Sequence, residues 1–87
     1  MIHRKKKAKK GDMTHELLLL RVSYLIHLFP QNGKLMQMYR NLQTSKRPFY
    51  SVGFLKQFVE KSVNDASLIP VLLSINSKED LEKKCSS

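Results

Sequence analysis

The sequence predicts an all-α protein, a small bundle of four to five helices that follows a disordered basic N-terminal arm. The first observation is the stretch from Glu16 to Phe29, ELLLLRVSYLIHLF, whose apolar side chains cover most of a helical circumference. The second is a set of shorter segments with apolar residues at helical spacing. The third is that Pro30, Pro48 and Asn64-Asp65 separate these segments. A helix as apolar as the first needs neighbours on two or three sides, so we expect it to form the centre of the bundle.

Composition divides the chain into a flexible arm, residues 1–11, and a single helical domain, residues 12–87. The arm, MIHRKKKAKKG, has six cations, no acid and no apolar period. Its like charges repel one another, so we expect it to stay extended until an anion neutralises it. Order should begin near Asp12.

Capping and helix-breaking residues predict the first two helices. Asp12 or Thr14 can cap the first helix, which runs to about Phe29 and is ended by Pro30 and the following Gln-Asn-Gly, where Asn-Gly tolerates positive φ. The second helix should span about Lys34 to Thr44. Its apolar residues recur at i, i+3, i+4 and i+7, namely Leu35, Met38, Tyr39 and Leu42. The short connection predicts that the two helices are antiparallel.

The remaining helices are shorter. The third should run from about Ser51 to Val63 and bury Val52, Leu55, Phe58, Val59 and Phe54. The segment LIPVLLSI, residues 68–75, can be helical or extended; we favour a helix from about Ser67, because Pro70 fits a first turn but not a central strand. Ser77 and Asp80 have the spacing of a capping box for a last helix that ends near Lys84, with only Leu81 to anchor it.

Positive charge is concentrated in the first two thirds of the chain. The formal net charge is +9, and residues 34–61 contain six cations against the single acid Glu60. From Asn64 onward the acids outnumber the cations by one. This imbalance favours a polyanionic partner.

We therefore expect a non-catalytic protein that binds nucleic acid, RNA in preference, or assembles into a ribonucleoprotein. Phosphates need cations spaced along a path, and a single strand also needs an exposed ring for base stacking. The segment SKRPFY, residues 45–50, contains both, although Phe49 and Tyr50 can instead pack beneath the loop. The predicted nucleic-acid-binding residues are Arg4, Lys5, Lys6, Lys7, Lys9, Lys10, Lys34, Arg40, Lys46, Arg47, Tyr50 and Lys56, with Asn41 among them.

The alternative is a helical protein–protein adaptor whose basic arm is only a nuclear-localisation signal. Both hypotheses predict an intracellular protein, nuclear or nucleolar in a eukaryote. The lone cysteine, Cys85, suits a reducing compartment.

We expect no membrane span, because Leu17 to Phe29 is too short and contains Arg21. The sequence does not indicate whether the protein is a monomer or an oligomer.

Residues for catalysis or metal binding are sparse, so we expect no enzyme activity, no metal and no cofactor. His15-Glu16 begins like the HExxH signature of zinc proteases, but Leu19 occupies the position of the second histidine ligand. His27 lies twelve residues further along the same helix, too far away to share an ion with His15. Cys85 has no fixed base beside it in the sequence.

Arg21 is a charged residue on the apolar side of the first predicted helix. Such a group must reach solvent or find a partner. We expect either an ion pair with Glu60 or Asp65, or a guanidinium at the edge of the domain; contact with a partner protein is the alternative.

Two stretches resemble parts of known families. The arm followed by ELLLLRVSYLIHLFP and KLMQMYRNL resembles the helix pair at the start of the zinc-ribbon subunit of ribonuclease P, over less than half of the chain and without the four cysteines of the ribbon. The stretch FLKQFVEKSVNDASLIPVLL resembles the last helices of a death-effector domain, but NDASL replaces its charged-Asp-Leu-Leu signature. Because neither stretch has the specific motif of its family, we carry over no function.

Overall fold

The computed structural model describes residues 12–86, in which five α-helices, one 3-10 helix and a two-stranded antiparallel sheet are found. In chain order the elements are β1 (Met13–Thr14), α1 (His15–Leu28), α2 (Gly33–Gln43), β2 (Phe49–Tyr50), α3 (Val52–Ser62), the 3-10 helix (Ala66–Leu68), α4 (Ile69–Leu73) and α5 (Lys78–Ser86). The predicted all-α bundle is confirmed. The arm, with its predicted disorder and its six cations, lies outside the described residues.

Helix α1 is the centre of the bundle, as predicted. Thr14 is its N-cap, and the Thr14 hydroxyl accepts a hydrogen bond from the Leu17 N–H at 3.2 Å. Leu18, Val22 and Leu25 of α1 are completely buried. Both strands and helices α2, α4 and α5 pack against α1, so its broad apolar surface is covered from several sides.

Helix α2 runs antiparallel to both α1 and α3. The His15 side chain, at the start of α1, donates through Nε2 to the carbonyl of Leu42, near the end of α2, at 2.5 Å. Asn32 caps α2 by accepting from the Leu35 N–H at 3.0 Å, and its amide donates to the carbonyl of Ser62, at the end of α3, at 2.9 Å. These contacts confirm the predicted antiparallel pairing of the first two helices.

Helix α1 ends just before Pro30, as predicted, but the tolerance of Asn32-Gly33 for positive φ is not used. Asn32 has a φ of −81° because it serves as the N-cap, and Gly33 is already the first residue of α2. Within residues 12–86, the non-glycine residue with positive φ is Asn64, at 53°. Its N–H donates to the carbonyl of Val59 at 2.9 Å, so Asn64 closes the end of α3 in the left-handed conformation.

The sheet was not predicted. Met13 pairs with Tyr50 and Thr14 pairs with Phe49. Each strand has two residues, which is too short for an alternating pattern to appear in a sequence. The pairing ties the segment before α3 to the start of α1 and fixes the position of Tyr50.

The ambiguous segment 68–75 is helical up to Leu73, as favoured from the sequence. It begins in the 3-10 helix and continues into the five-residue α4, where Pro70 is the second residue. At α5, the Ser77 hydroxyl accepts from the Asp80 N–H at 3.2 Å, as predicted for a capping box. The Asp80 carboxylate accepts a hydrogen bond from the N–H of Asn76, at 2.9 Å, rather than from that of Ser77. Leu81 packs against the core.

The buried apolar side chains form one core cluster. Its members are Met13, Leu18, Val22, Leu25, Leu35, Leu42, Tyr50, Leu55, Phe58, Val59, Ile69, Leu72 and Ile75. Among residues 12–86, no helix has the length and apolar character needed to cross a membrane.

Candidate interaction surface

Arg21 is a structural residue inside the bundle. Its side chain is 4% exposed, and burial lowers the pKa of the guanidinium, which nevertheless stays charged at neutral pH. It donates to the carbonyls of Ile75 at 3.0 Å and Leu73 at 3.3 Å, and to the Asn76 side-chain oxygen at 3.2 Å. Neither the expected ion pair with Glu60 or Asp65 nor a guanidinium at the edge of the domain is found: Arg21 is buried, and its partners are the last carbonyl of α4, the carbonyl and side chain of the two residues that precede Ser77, and the Met13 sulfur.

Tyr50 is buried rather than exposed. Its side chain is 1% exposed, its hydroxyl donates to the Ser45 hydroxyl, and its ring stacks on His15 with 5.9 Å between the ring centroids. The Arg47 guanidinium carbon lies 5.1 Å from the Tyr50 ring centroid. The expectation of an exposed stacking ring at Tyr50 is thus corrected, because β2 turns this side chain into the core.

Arg47 joins the loop to helix α3. Its guanidinium carbon also lies 5.6 Å from the ring centroid of Phe54, and the Tyr50 and Phe54 rings are themselves 4.9 Å apart. The residue remains exposed. Arg47 therefore combines a solvent-accessible charge with cation–π contacts to two rings.

A groove lies between α2 and α3. It consists of two adjoining depressions, one towards each end of the groove. The larger has a volume of about 270 Å³ and is lined by Met38, Asn41, Leu42, Ser45, Arg47, Tyr50, Phe54 and Phe58. The smaller has a volume of about 170 Å³ and is lined by Met38, Phe54, Gln57, Phe58 and Lys61. Because they share Met38, Phe54 and Phe58, we treat them as one feature and call it the α2–α3 groove.

The six cations of residues 34–61 are all exposed, but they do not lie on one side of the molecule. They are Lys34, Arg40, Lys46, Arg47, Lys56 and Lys61. Arg40 follows Met38 by two residues, and Lys56 follows Phe54 by two, which is about 200° around a helix. Both therefore lie on helix sides away from the groove. Lys34, one turn before Met38, lies on the groove side.

Several groove residues were not predicted to belong to a site, among them Met38, Phe54, Phe58 and Lys61. Met38 and the two phenylalanines occur at helical spacing, which predicts core positions equally well. The available signal was that Lys61 follows Phe54 by seven residues, two helical turns, and therefore lies on the same side of α3.

Groups for catalysis or metal binding do not come together in residues 12–86. No cluster of three or more histidine, cysteine, aspartate or glutamate side chains within that range could hold a metal ion. Cys85 is a half-buried free thiol in α5.

The fold and surface define a small all-α protein with an apolar groove and a cationic exterior. Comparison of the chain with protein-family models, with curated proteins and with solved structures finds no match.

Proposed function

We propose that this protein binds nucleic acid without catalysis, RNA in preference, alone or as a subunit of a ribonucleoprotein. The observation that supports this most is the exposure of all six cations of residues 34–61, with the exposed Glu60 as the one acid in that range. The six cations of the arm add to the same charge. Such an excess attracts a polyanion and gains free energy by releasing its counterions.

The placement of these cations favours a flexible strand over a rigid duplex. Arg40 lies on α2 and Lys56 on α3, both on helix sides away from the groove that Arg47 lines. A single strand can bend to bring its phosphates to cations on several faces, whereas a duplex presents its phosphates along a stiff path. Base stacking on Tyr50 has no part in this proposal, so recognition is mainly electrostatic and weakly dependent on sequence.

The test is a binding assay with labelled single-stranded RNA, single-stranded DNA and duplex DNA at low and at moderate salt. We expect binding of all three at low salt, tightest for the single strands, and a steep loss of affinity as salt rises. Absence of binding at low salt would reject the proposal.

The second candidate function, a protein–protein adaptor, is favoured by the α2–α3 groove. Solvent-accessible Met and Phe side chains between two helices are typical of surfaces that accept a partner helix. Salt separates the two functions, because an apolar contact changes little over the range in which phosphate contacts are lost.

A further inference from the structure

We propose that the α2–α3 groove binds an amphipathic helix of a partner protein, one that has apolar side chains on one face and carboxylates near both ends of that face. This proposal does not depend on nucleic-acid binding, because it rests on the apolar floor of the groove; of the exposed cations of residues 34–61 proposed to attract nucleic acid, only Arg47 and Lys61 line the groove. Three observations support the proposal. The floor of the groove is apolar, a cation lies at each of its two ends, and the aromatic rings of the groove are already in contact with other side chains.

The floor of the groove has the character of a helix-binding surface. Met38 and Phe54 are half-buried and Phe58 is buried, and all three line both depressions. The walls are the antiparallel helices α2 and α3. Two adjoining depressions fit two apolar side chains that lie one or two turns apart on a partner helix, and the flexible Met38 thioether can adapt to their shape.

The charge of the groove specifies an acidic partner. Arg47 lines only the larger depression and Lys61 only the smaller, so a cation lies at each end. No carboxylate is among the residues that line either depression. From Phe54 to Lys61 α3 makes two turns, roughly 10 Å, so carboxylates two turns apart on a bound helix would match this spacing.

The rings of the groove are poorly placed for a nucleobase. The Tyr50 ring is in contact with His15 and Arg47, and Arg47 also covers Phe54. A base could stack only by displacing the arginine that would otherwise pair with its phosphate. An aliphatic side chain needs no ring face and can enter from the open side.

A second copy of the same chain does not match the required partner. Within residues 12–86, the helix that contains more than one acid is α5, whose first turn contains Glu79 and Asp80. Its apolar anchor, Leu81, already packs against the core of its own chain. The groove therefore fits a different protein.

The test is a selection from a library of short displayed peptides of random sequence for those that bind the 87-residue chain at physiological ionic strength. We expect enrichment of sequences with two apolar residues at helical spacing and glutamate or aspartate on either side. Fluorescence anisotropy of an enriched peptide, and the NMR signal of the Met38 methyl group during its titration, then report affinity and location.

Two double variants with the same change in net charge provide the control. R47E/K61E reverses both ends of the groove, whereas R40E/K56E reverses cations on the same region of the chain but outside the groove. We expect R47E/K61E to weaken peptide binding by roughly tenfold or more and R40E/K56E to leave it almost unchanged. Circular dichroism verifies the fold of each; if R47E/K61E is unfolded, K61E against K56E makes the same comparison.

Several results would overturn the proposal. These are no enriched peptide, enrichment without acidic residues, equal losses in the two double variants, or an unshifted Met38 methyl signal. If single-stranded RNA shifts the Met38 signal and displaces the peptide, the groove is part of a nucleic-acid site instead. Nucleic-acid binding should decrease to a similar extent in both double variants, so failure of the two proposals can be told apart.

Discussion

At the scale of single residues, Arg21 shows how a charge can be placed inside an 87-residue protein. Helix α4 has five residues, so its last carbonyls have few partners within the helix. The guanidinium of Arg21 supplies several donors in one fork and reaches the carbonyls of Leu73 and Ile75 from α1. One side chain thereby links the centre of the bundle to the α4–α5 connection.

Arg21→Met should destabilise the protein by about 2–4 kcal/mol, because methionine retains apolar volume but leaves buried carbonyls without donors. Urea denaturation followed by circular dichroism measures the change. The control is Arg40→Met, at an exposed position of α2, which should change the free energy of unfolding by less than about 0.5 kcal/mol. Equal stability of Arg21→Met and the parent would contradict this role of Arg21.

Tyr50→Phe should cost about 1 kcal/mol of stability, because it removes the hydroxyl bond to Ser45. It should leave nucleic-acid affinity unchanged, because Tyr50 presents no solvent-exposed ring to a nucleic acid. Combining it with Ser45→Ala should cost little more than either change alone, since both break the same bond. Denaturation and anisotropy on the same samples provide both values. Loss of nucleic-acid affinity by a folded Tyr50→Phe protein would restore Tyr50 as a contact residue.

At the scale of elements, the helices could be predicted because the signals that start and stop them are local. Thr14, Asn32 and Ser51 cap α1, α2 and α3 through their own side chains, and Pro30 lies just after α1. The sheet could not be predicted, because two-residue strands are stabilised by the contact between Met13 and Tyr50, which are far apart in sequence.

The groove was missed for a related reason. A helical period distinguishes apolar from polar sides, but not an apolar side chain that is covered from one that lines an open depression. Leu35 and Met38 belong to the same predicted stripe of α2, yet Leu35 is buried and lines neither depression, whereas Met38 is half-buried and lines both. Only the packing of α3 against α2 decides between these outcomes.

Leu25→Asp in α1 should abolish cooperative unfolding, because it places an unpaired charge at a completely buried position. Leu28→Asp is the control on the same helix: Leu28 is 39% exposed, and its replacement should cost only about 1 kcal/mol. Thermal unfolding followed by circular dichroism distinguishes the two variants. A Leu25→Asp protein that melts like the parent would show that α1 is not the centre of the core.

At the scale of the whole molecule, most of the exposed cations of residues 34–61 lie outside the apolar groove, which only Arg47 and Lys61 of that set line. The arm accounts for six of the nine net positive charges, since it has six cations and no acid. The helical part has the α2–α3 groove and cations on several sides. This arrangement would let a nucleic acid and a partner helix bind to different parts of one small chain.

The most direct test of nucleic-acid binding is the slope of log Kobs against log salt concentration for single-stranded RNA. It is measured on the full-length protein and on a variant with glutamine at the six arm cations, Arg4, Lys5, Lys6, Lys7, Lys9 and Lys10. The parent should bind at low salt with a steep negative slope. In the variant the slope should become shallower by about 0.7 for each arm cation that contacts a phosphate. Absence of binding by the parent at low salt, or an affinity that does not change with salt, would contradict the proposed function.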